Sequence, residues 1–409
     1  MRRSRIPQGL RQIFAETGRV IRDPQLLLWS LYILLFPLYV LPSGMPQPGD
    51  LLMIPMAPVI FLGGKNRLFP AAIRPTRALL LFTGYVLFVN FTWMVAINDY
   101  GLNLKTGFLL TPTFYIYNTV FFLMALVLYT RYRERFLWLT LQLTLASVVL
   151  QVLVSLVLSR GGSRSILLFN NPNQLGYYAI LSASILCFGR RRLGLGTIAA
   201  TIGLLASSYL ALLSASKAAL GATAILAVVG ILSNPRLMIV AVLAFVLLLS
   251  TSNRFTLALD RARLRIDTDE HADFFEERGY DRITGNKQFW VFGAGEGGYR
   301  RFKDTTVIGS HELHSAAGTV FFCYGMVGTV LFLVFCWRVI ERARPRYVLM
   351  LLPAAAFAMT HQGLRFTLLW VLLAMFVALK DFERQPGSLL ARASARPRPP
   401  GPPTTERRE

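Results

Sequence analysis

The chain of 409 residues carries little charge and few cysteines. Only 16% of its residues are Asp, Glu, Lys or Arg, whereas 54% are hydrophobic, and its mean hydropathy is +0.49. Soluble proteins carry about 25% charged residues, so this composition excludes an ordinary soluble protein and indicates an integral membrane protein. The cysteines Cys187, Cys323 and Cys336 form no CxxC pair and no zinc-ligand spacing, which predicts neither a disulfide framework nor a cysteine metal site.

Long apolar stretches recur from end to end of the chain. A helix needs about 20 apolar residues to cross the hydrocarbon layer, or fewer where it is partly buried in protein. The pattern predicts an all-α, polytopic membrane protein with about 12 transmembrane helices. The predicted spans lie near 24–42, 50–63, 77–97, 107–130, 136–158, 174–189, 194–214, 217–233, 237–252, 315–337, 347–361 and 366–380.

The basic residues are spread unevenly between the connecting segments. The 43 Lys and Arg outnumber the 21 Asp and Glu, giving a net charge of +22. In a soluble protein that excess would suggest nucleic acid, but cytoplasmic loops of membrane proteins collect Lys and Arg for topological reasons. With the N-terminus placed in the cytoplasm, most of the basic residues fall inside. The sequence therefore predicts a multi-pass membrane protein with both termini cytoplasmic, and no nucleic-acid partner.

This topology divides the chain into five parts. They are a basic N-terminal segment (1–23), helices one to nine (24–252), a long loop on the outer side (253–314), helices ten to twelve (315–380) and a disordered cytoplasmic tail (381–409). No ionisable residue lies in the middle of any predicted span, which argues against proton pumps and ion-coupled carriers. All four histidines fall on the outer side, and loops of this length are usually functional.

The first part of the loop offers arginines to an anionic ligand. Arg261, Arg265, Arg278 and Arg282 could project together, and a guanidinium forks onto two phosphate oxygens, which suits a pyrophosphate. The alternative is that these arginines pair with the many acidic residues around them. The acidic run at 267–270 lacks the order of a calcium loop, so no metal site is predicted.

Two further motifs lie in the second part of the loop. GAGEGG at 293–298 matches a dinucleotide pattern, but it lies between membrane spans, so a tight turn that brings Glu296, Arg300 and Arg301 to the site is the better interpretation. HELHS at 311–315 is not a zincin motif. Its histidines could instead accept a proton from an attacking hydroxyl; the alternative for His314 is a residue that packs at the start of span ten.

The region SHELHSAAGTVFFCYGMVGTVLFL at 310–333 resembles the signature of the bacterial O-antigen ligase and O-antigen/exopolysaccharide polymerase superfamily. Gly325 and Gly328 follow His314 at the spacing of that signature. FNNPNQLGYY at 169–178 and SASKAALGA at 214–222 are similar to two further family segments, and RGYDR followed by GAGEG matches the outer-loop arginine and glycine region. Lys217 and Ser315 stand where Arg and Asn are usual, which favours a polymerase over a ligase.

The resemblance implies a glycosyltransferase C-like fold in the bacterial inner membrane, with loop 253–314 as a periplasmic catalytic loop. It also implies a metal-independent, inverting glycosyl transfer at the periplasmic face, without a cofactor. The donor would be an oligosaccharide on undecaprenyl pyrophosphate, with membrane lipid and a chain-length regulator as further partners. His314 would be the general base, assisted by His311, and Glu296, Glu312 and Arg300 would support it. The donor pyrophosphate would be held by Lys217, Arg278, Arg282 and Arg265. The alternatives are a ligase that transfers the glycan to lipid A-core or to a protein, and a flippase of lipid-linked sugars.

Overall fold

The structure is a computed structural model that describes residues 20, 22–42, 45–64, 66–101, 107–158, 164–193, 195–268, 274–302 and 312–384. Within these ranges every regular element is helical. The helices are α1 (Pro24–Leu35), α2 (Pro48–Leu51), α3 (Met53–Leu62), α4 (Pro70–Ala96), α5 (Thr113–Tyr132), α6 (Glu134–Leu158), α7 (Pro172–Leu193), α8 (Thr197–Ser214), α9 (Lys217–Ser233), α10 (Pro235–Thr251), α11 (Asn253–Thr268), α12 (Phe274–Glu277), α13 (Tyr280–Gly285), α14 (Ala316–Ile340), α15 (Pro345–Val348), α16 (Leu352–Thr360) and α17 (Thr367–Phe382). Short 3-10 turns lie at Lys287–Phe289, Tyr299–Phe302 and Leu349–Leu351.

The prediction of an all-helical, apolar fold is confirmed, and a helix occurs at each of the twelve predicted spans. Among the described residues, five helices are long and apolar enough to cross a membrane: α4, α5, α6, α8 and α14. A sixth candidate is α10 together with residues Phe255–Leu264 of α11, which are bent from it by 92°. Twelve crossings and a periplasmic loop stay predictions, since the other helices are shorter or less apolar.

Helix α17 shows why a short helix can still belong to the centre of such a fold. Residues 367–380 are buried with the single exception of Leu373, and the helix packs against α5 and α7. A helix that is apolar on all sides is stable only when other helices surround it or when it faces lipid. Here its neighbours are protein, so its 16 residues need not match the thickness of a bilayer.

Some of the buried polar side chains inside the helix bundle pair with one another across helices. The indole N–H of Trp29 donates to Thr140 Oγ1 at 2.9 Å, and the hydroxyls of Ser147 and Tyr178 lie 2.6 Å apart. An unpaired polar group in an apolar interior costs free energy, so these bonds fix which helix faces meet. They join α1 to α6 and α6 to α7.

The predicted loop 253–314 contains α11, α12, α13 and two of the 3-10 turns. Residues 269–273 and 303–311, which include His271 and His311, lie outside the described residues, as does most of the predicted N-terminal segment and of the predicted tail.

Candidate functional site

Helix α14 is interrupted, and the glycine-rich segment of the loop pairs with the interruption. The backbone N–H groups of Ala294 and Gly295 donate to the carbonyls of Phe322 and Cys323, at 2.9 and 2.8 Å. A break in a helix leaves backbone groups without partners, and these bonds satisfy them from outside the helix. The loop is thereby held against α14 by main-chain contacts.

Two glycines make this close approach possible. Gly325 has φ 63° and ψ −166°, a conformation that is essentially restricted to glycine. A Cβ on Gly325 would lie 2.3 Å from the carbonyl oxygen of Val291, and one on Gly293 would lie 2.3 Å from that of Cys323. The GAGEGG segment therefore serves as a backbone-packing turn, and no strand precedes it among the described residues.

Glu296, in the middle of that turn, is fully buried. Its carboxylate accepts from the Tyr324 hydroxyl at 2.7 Å and pairs with Arg365 Nη2 at 2.5 Å. The Asn90 side chain bonds to both the N–H and the carbonyl of Glu296, at 3.0 Å each. Because a buried carboxylate is costly without such partners, these contacts fix the position of the turn.

Arg365 links that turn to the segment that carries His314. Its Nη1 lies 2.7 Å from Glu312 Oε2, while Nη2 pairs with Glu296. Burial alone would lower the pKa of Arg365, but the Glu312 and Glu296 carboxylates raise that pKa well above its usual value. Sequence reasoning gave Arg365 no role in the site, because a single arginine beside a predicted helix start gives no signal of its distant partners.

His314 lies exposed just before α14, where three segments of the chain meet. Its backbone N–H donates to the carbonyl of Arg278 at 3.2 Å, and the N–H of Ala316 donates to the carbonyl of His361 at 3.1 Å. Next to it, the hydroxyl of Tyr280 bonds to Ser315 Oγ at 2.8 Å. Residues 278–280, 314–316 and 361 are therefore held together.

Ser315 begins α14 as its N-cap. Its hydroxyl accepts from the N–H of Gly318 at 3.1 Å, which supplies one of the partners that the first turn of a helix lacks. This explains locally why the chain turns into a helix directly after His314.

His361 lies within electrostatic range of His314. Burial, followed by electrostatic interaction with Arg278, His314 and Arg164, lowers the pKa of His361 to about 3. Its ring stacks on Phe357 with centroids 4.8 Å apart. His361 is therefore neutral at physiological pH in the midst of a basic cluster, and sequence reasoning gave it no role in the site.

Arg164 joins the two other segments that carry the family resemblance. Its Nη2 donates to Asn173 Oδ1 at 2.8 Å and its Nε donates to the carbonyl of Ser214 at 3.1 Å. Lys217 is exposed at the start of α9, three residues after Ser214. The Asn-Pro-Asn segment and the SASK segment thus meet at Arg164, which sequence reasoning missed although it stands shortly before the asparagines.

The remaining predicted site residues lie in different surroundings. Arg282 is fully buried, and its guanidinium lies 5.4 Å from the ring centroid of Tyr299 and 5.2 Å from that of Phe302. These contacts give it a packing role inside the loop, so its predicted donor-binding role would require the rings to move. Arg300 is exposed, and the side chain of Arg265 lies outside what the structure describes.

Arg301, next to Arg300, is held between aromatic rings. Its guanidinium lies 5.1 Å from the centroid of Trp93 and 4.7 Å from that of Phe302. Burial lowers its pKa to about 10. It fastens the second 3-10 turn to α4.

The described residues contain no group of three His, Cys, Asp or Glu side chains placed to hold a metal ion. The end of the acidic run at 267–270 lies outside them. Comparison of the sequence with protein-family models finds no match, and no curated protein matches it.

Proposed function

We propose that this protein is a membrane glycosyltransferase that polymerises oligosaccharide repeats linked to undecaprenyl pyrophosphate. Its product would be an O-antigen, a capsule or an exopolysaccharide, made at the periplasmic face of the inner membrane. The observation that carries the proposal is the meeting of His314, Arg278 and His361, which come from three distant parts of the sequence. Two of these parts carry the sequence resemblance.

The proposed reaction is an inverting displacement. A hydroxyl oxygen of the acceptor attacks the anomeric carbon of the donor and forms the new glycosidic bond. The bond between that carbon and the pyrophosphate oxygen breaks, and its electron pair leaves with undecaprenyl pyrophosphate. The hydroxyl proton passes to the imidazole of His314, which is exposed and therefore within reach of an acceptor.

Basic side chains around His361 and at the start of α9 support binding of the pyrophosphate. Arg278 and Arg164 both act electrostatically on His361, and Lys217 is exposed near Ser214, to which Arg164 bonds. Positive charge held in place before the reaction stabilises the negative charge that develops on the leaving group. The Arg365 bridge holds the Glu296 turn and the Glu312 segment in fixed positions beside this cluster.

The test is the length of the polymer made in cells that carry His314→Ala at unchanged expression. We expect short, unpolymerised repeats, whereas His271→Ala, in the same predicted loop, should leave long polymer. Polymer of normal length with His314→Ala would contradict the role of His314.

A charge role for Lys217 is tested in the same cells. Lys217→Ala should lower the use of the donor at least about tenfold, the scale of a lost charged hydrogen bond, and Lys217→Arg should restore it. An equal loss in both variants would show that the charge is not what matters.

The purified protein distinguishes a polymerase from a ligase. Supplied only with the lipid-linked repeat, a polymerase lengthens it, whereas a ligase needs a separate lipid A-core or protein acceptor.

A further inference from the structure

A groove of about 870 Å³ opens far from the candidate site. It lies where the start of α1 and the end of α3 meet the corner between α5 and α6. Helix α5 begins next to the site, since the Phe114 ring lies 5.2 Å from the Arg365 guanidinium, and it ends at Tyr132 in the groove. The two places are therefore one helix length apart, about 30 Å.

The polar end of this groove is positively charged. Arg22 and Arg135 line it, and Asp23 is the one carboxylate among its lining residues. The Asp23 carboxylate is occupied as the N-cap of α1, where it accepts from the N–H groups of Gln25 and Leu26 at 3.1 and 3.4 Å. Two guanidinium groups that line one groove can bind a negatively charged group.

A third basic side chain bonds to one of the residues that line the groove. Arg131 Nη1 donates to Gln25 Oε1 at 2.7 Å, and Gln25 Nε2 donates to the carbonyl of Gly63 at 3.3 Å. These bonds join the start of α1 and the end of α3 to α5, so this part of the groove is held together by the protein's own contacts.

The other side of the groove is apolar and continues along α3. Pro58, Val59 and Leu62 line it, and the exposed residues 51, 54, 55, 58 and 62 form one stripe at helical spacing. Ile54 is 72% and Leu62 is 85% exposed. Helix α3 has only 10 residues, or about 15 Å, and is half as long as α5, against which it packs.

We propose that this groove binds one anionic phospholipid, with its phosphodiester between Arg22 and Arg135 and an acyl chain along the stripe of α3. A basic pocket between membrane helices and an adjoining apolar face are what a charged headgroup and its tail require together. The site is independent of the glycosyltransferase proposal, because it lies at the other end of α5.

The experiment measures the binding of phosphatidylglycerol to the purified full-length protein in detergent, from the rise in thermal unfolding temperature with lipid concentration. Phosphatidylcholine with the same acyl chains and inorganic phosphate are measured in parallel. We expect the apparent affinity for phosphatidylglycerol to fall about tenfold or more in the double variant Arg22→Gln/Arg135→Gln. The matched control, Arg67→Gln/Arg77→Gln, removes two exposed charges outside the groove and should change it less than about twofold.

Four results would overturn the proposal. The two double variants could lose affinity equally, which would mean general surface attraction. Phosphatidylcholine could bind with the same affinity as phosphatidylglycerol, or inorganic phosphate could raise the unfolding temperature of the protein as much as the lipid does. If the first double variant does not fold, Val59→Trp serves instead, since it fills the apolar side without removing charge, and undiminished lipid binding by that variant would also contradict the site.

Discussion

At the scale of single residues, one buried cation organises the charge around the candidate site. Arg365 is 19% exposed and pairs with Glu296, which is fully buried, and with Glu312. A buried ion pair adds little net stability compared with apolar packing, but removing one partner leaves an uncompensated charge. This cluster therefore contributes more to the arrangement of the site than to net stability, because it joins the turn at 293–298 to the segment just before His314.

Arg365→Met should destabilise the protein by about 3–5 kcal/mol, because it leaves the Glu296 carboxylate buried without its cation. Adding Glu296→Gln to that variant should restore part of the loss, since the amide is neutral. The measurement is denaturant unfolding in detergent micelles, with Arg300→Met as a control that removes an exposed arginine of the same loop. Additive effects of the two substitutions would contradict a direct coupling.

At the scale of elements, the break in α14 determines where the loop attaches. The N–H of Met326, just after Gly325, donates to the carbonyl of Trp290 at 2.7 Å. The bonds made by Ala294 and Gly295 go to residues just before Gly325, so the loop pairs with α14 on both sides of that glycine. A long insertion between two helices would otherwise be free to move, and these bonds give the turn a fixed place beside the membrane.

Gly325→Ala should destabilise the protein by more than about 2 kcal/mol, because it adds a methyl group 2.3 Å from the Val291 oxygen in a backbone conformation with φ 63°. Gly84→Ala is the matched control. It lies in α4 with nothing within 4 Å of the added Cβ, so it should be neutral or stabilising by about 0.5–1 kcal/mol. Thermal unfolding of the two variants tests this, and similar losses in both would argue against the close approach.

At the scale of the whole molecule, the net charge of +22 has little to do with the candidate site. The predicted topology assigns most of that excess to the cytoplasmic side. At the site, a few charged side chains matter because of where they lie. Arg278 and Arg164 act on His361, which stays neutral, and Arg365 is paired with the carboxylates of Glu296 and Glu312.

The stability of the whole protein should fall in mild acid through His361. Its folded-state pKa of about 3 lies below the ordinary value of 6.5, so the unfolded chain takes up the proton first. The stabilisation from neutral His361 is therefore complete above pH 6.5 and is lost progressively as the pH falls towards about 3. Unfolding temperatures across this range should fall less steeply for His361→Gln, and parallel curves for the two proteins would contradict the assignment.

Periodicity and composition by themselves determined the helical class and the position of a helix at every predicted span, because these depend on neighbours a few positions away. Local motifs and the family resemblance singled out Glu296, Glu312 and His314. Only the tertiary structure decided that Arg365 joins the two glutamates, that His361 lies near His314 and Arg164, and that Arg282 is enclosed by rings. The physical reason is that ion pairs, ring contacts and burial form between residues far apart in the chain, and no local pattern records which distant partner a side chain meets.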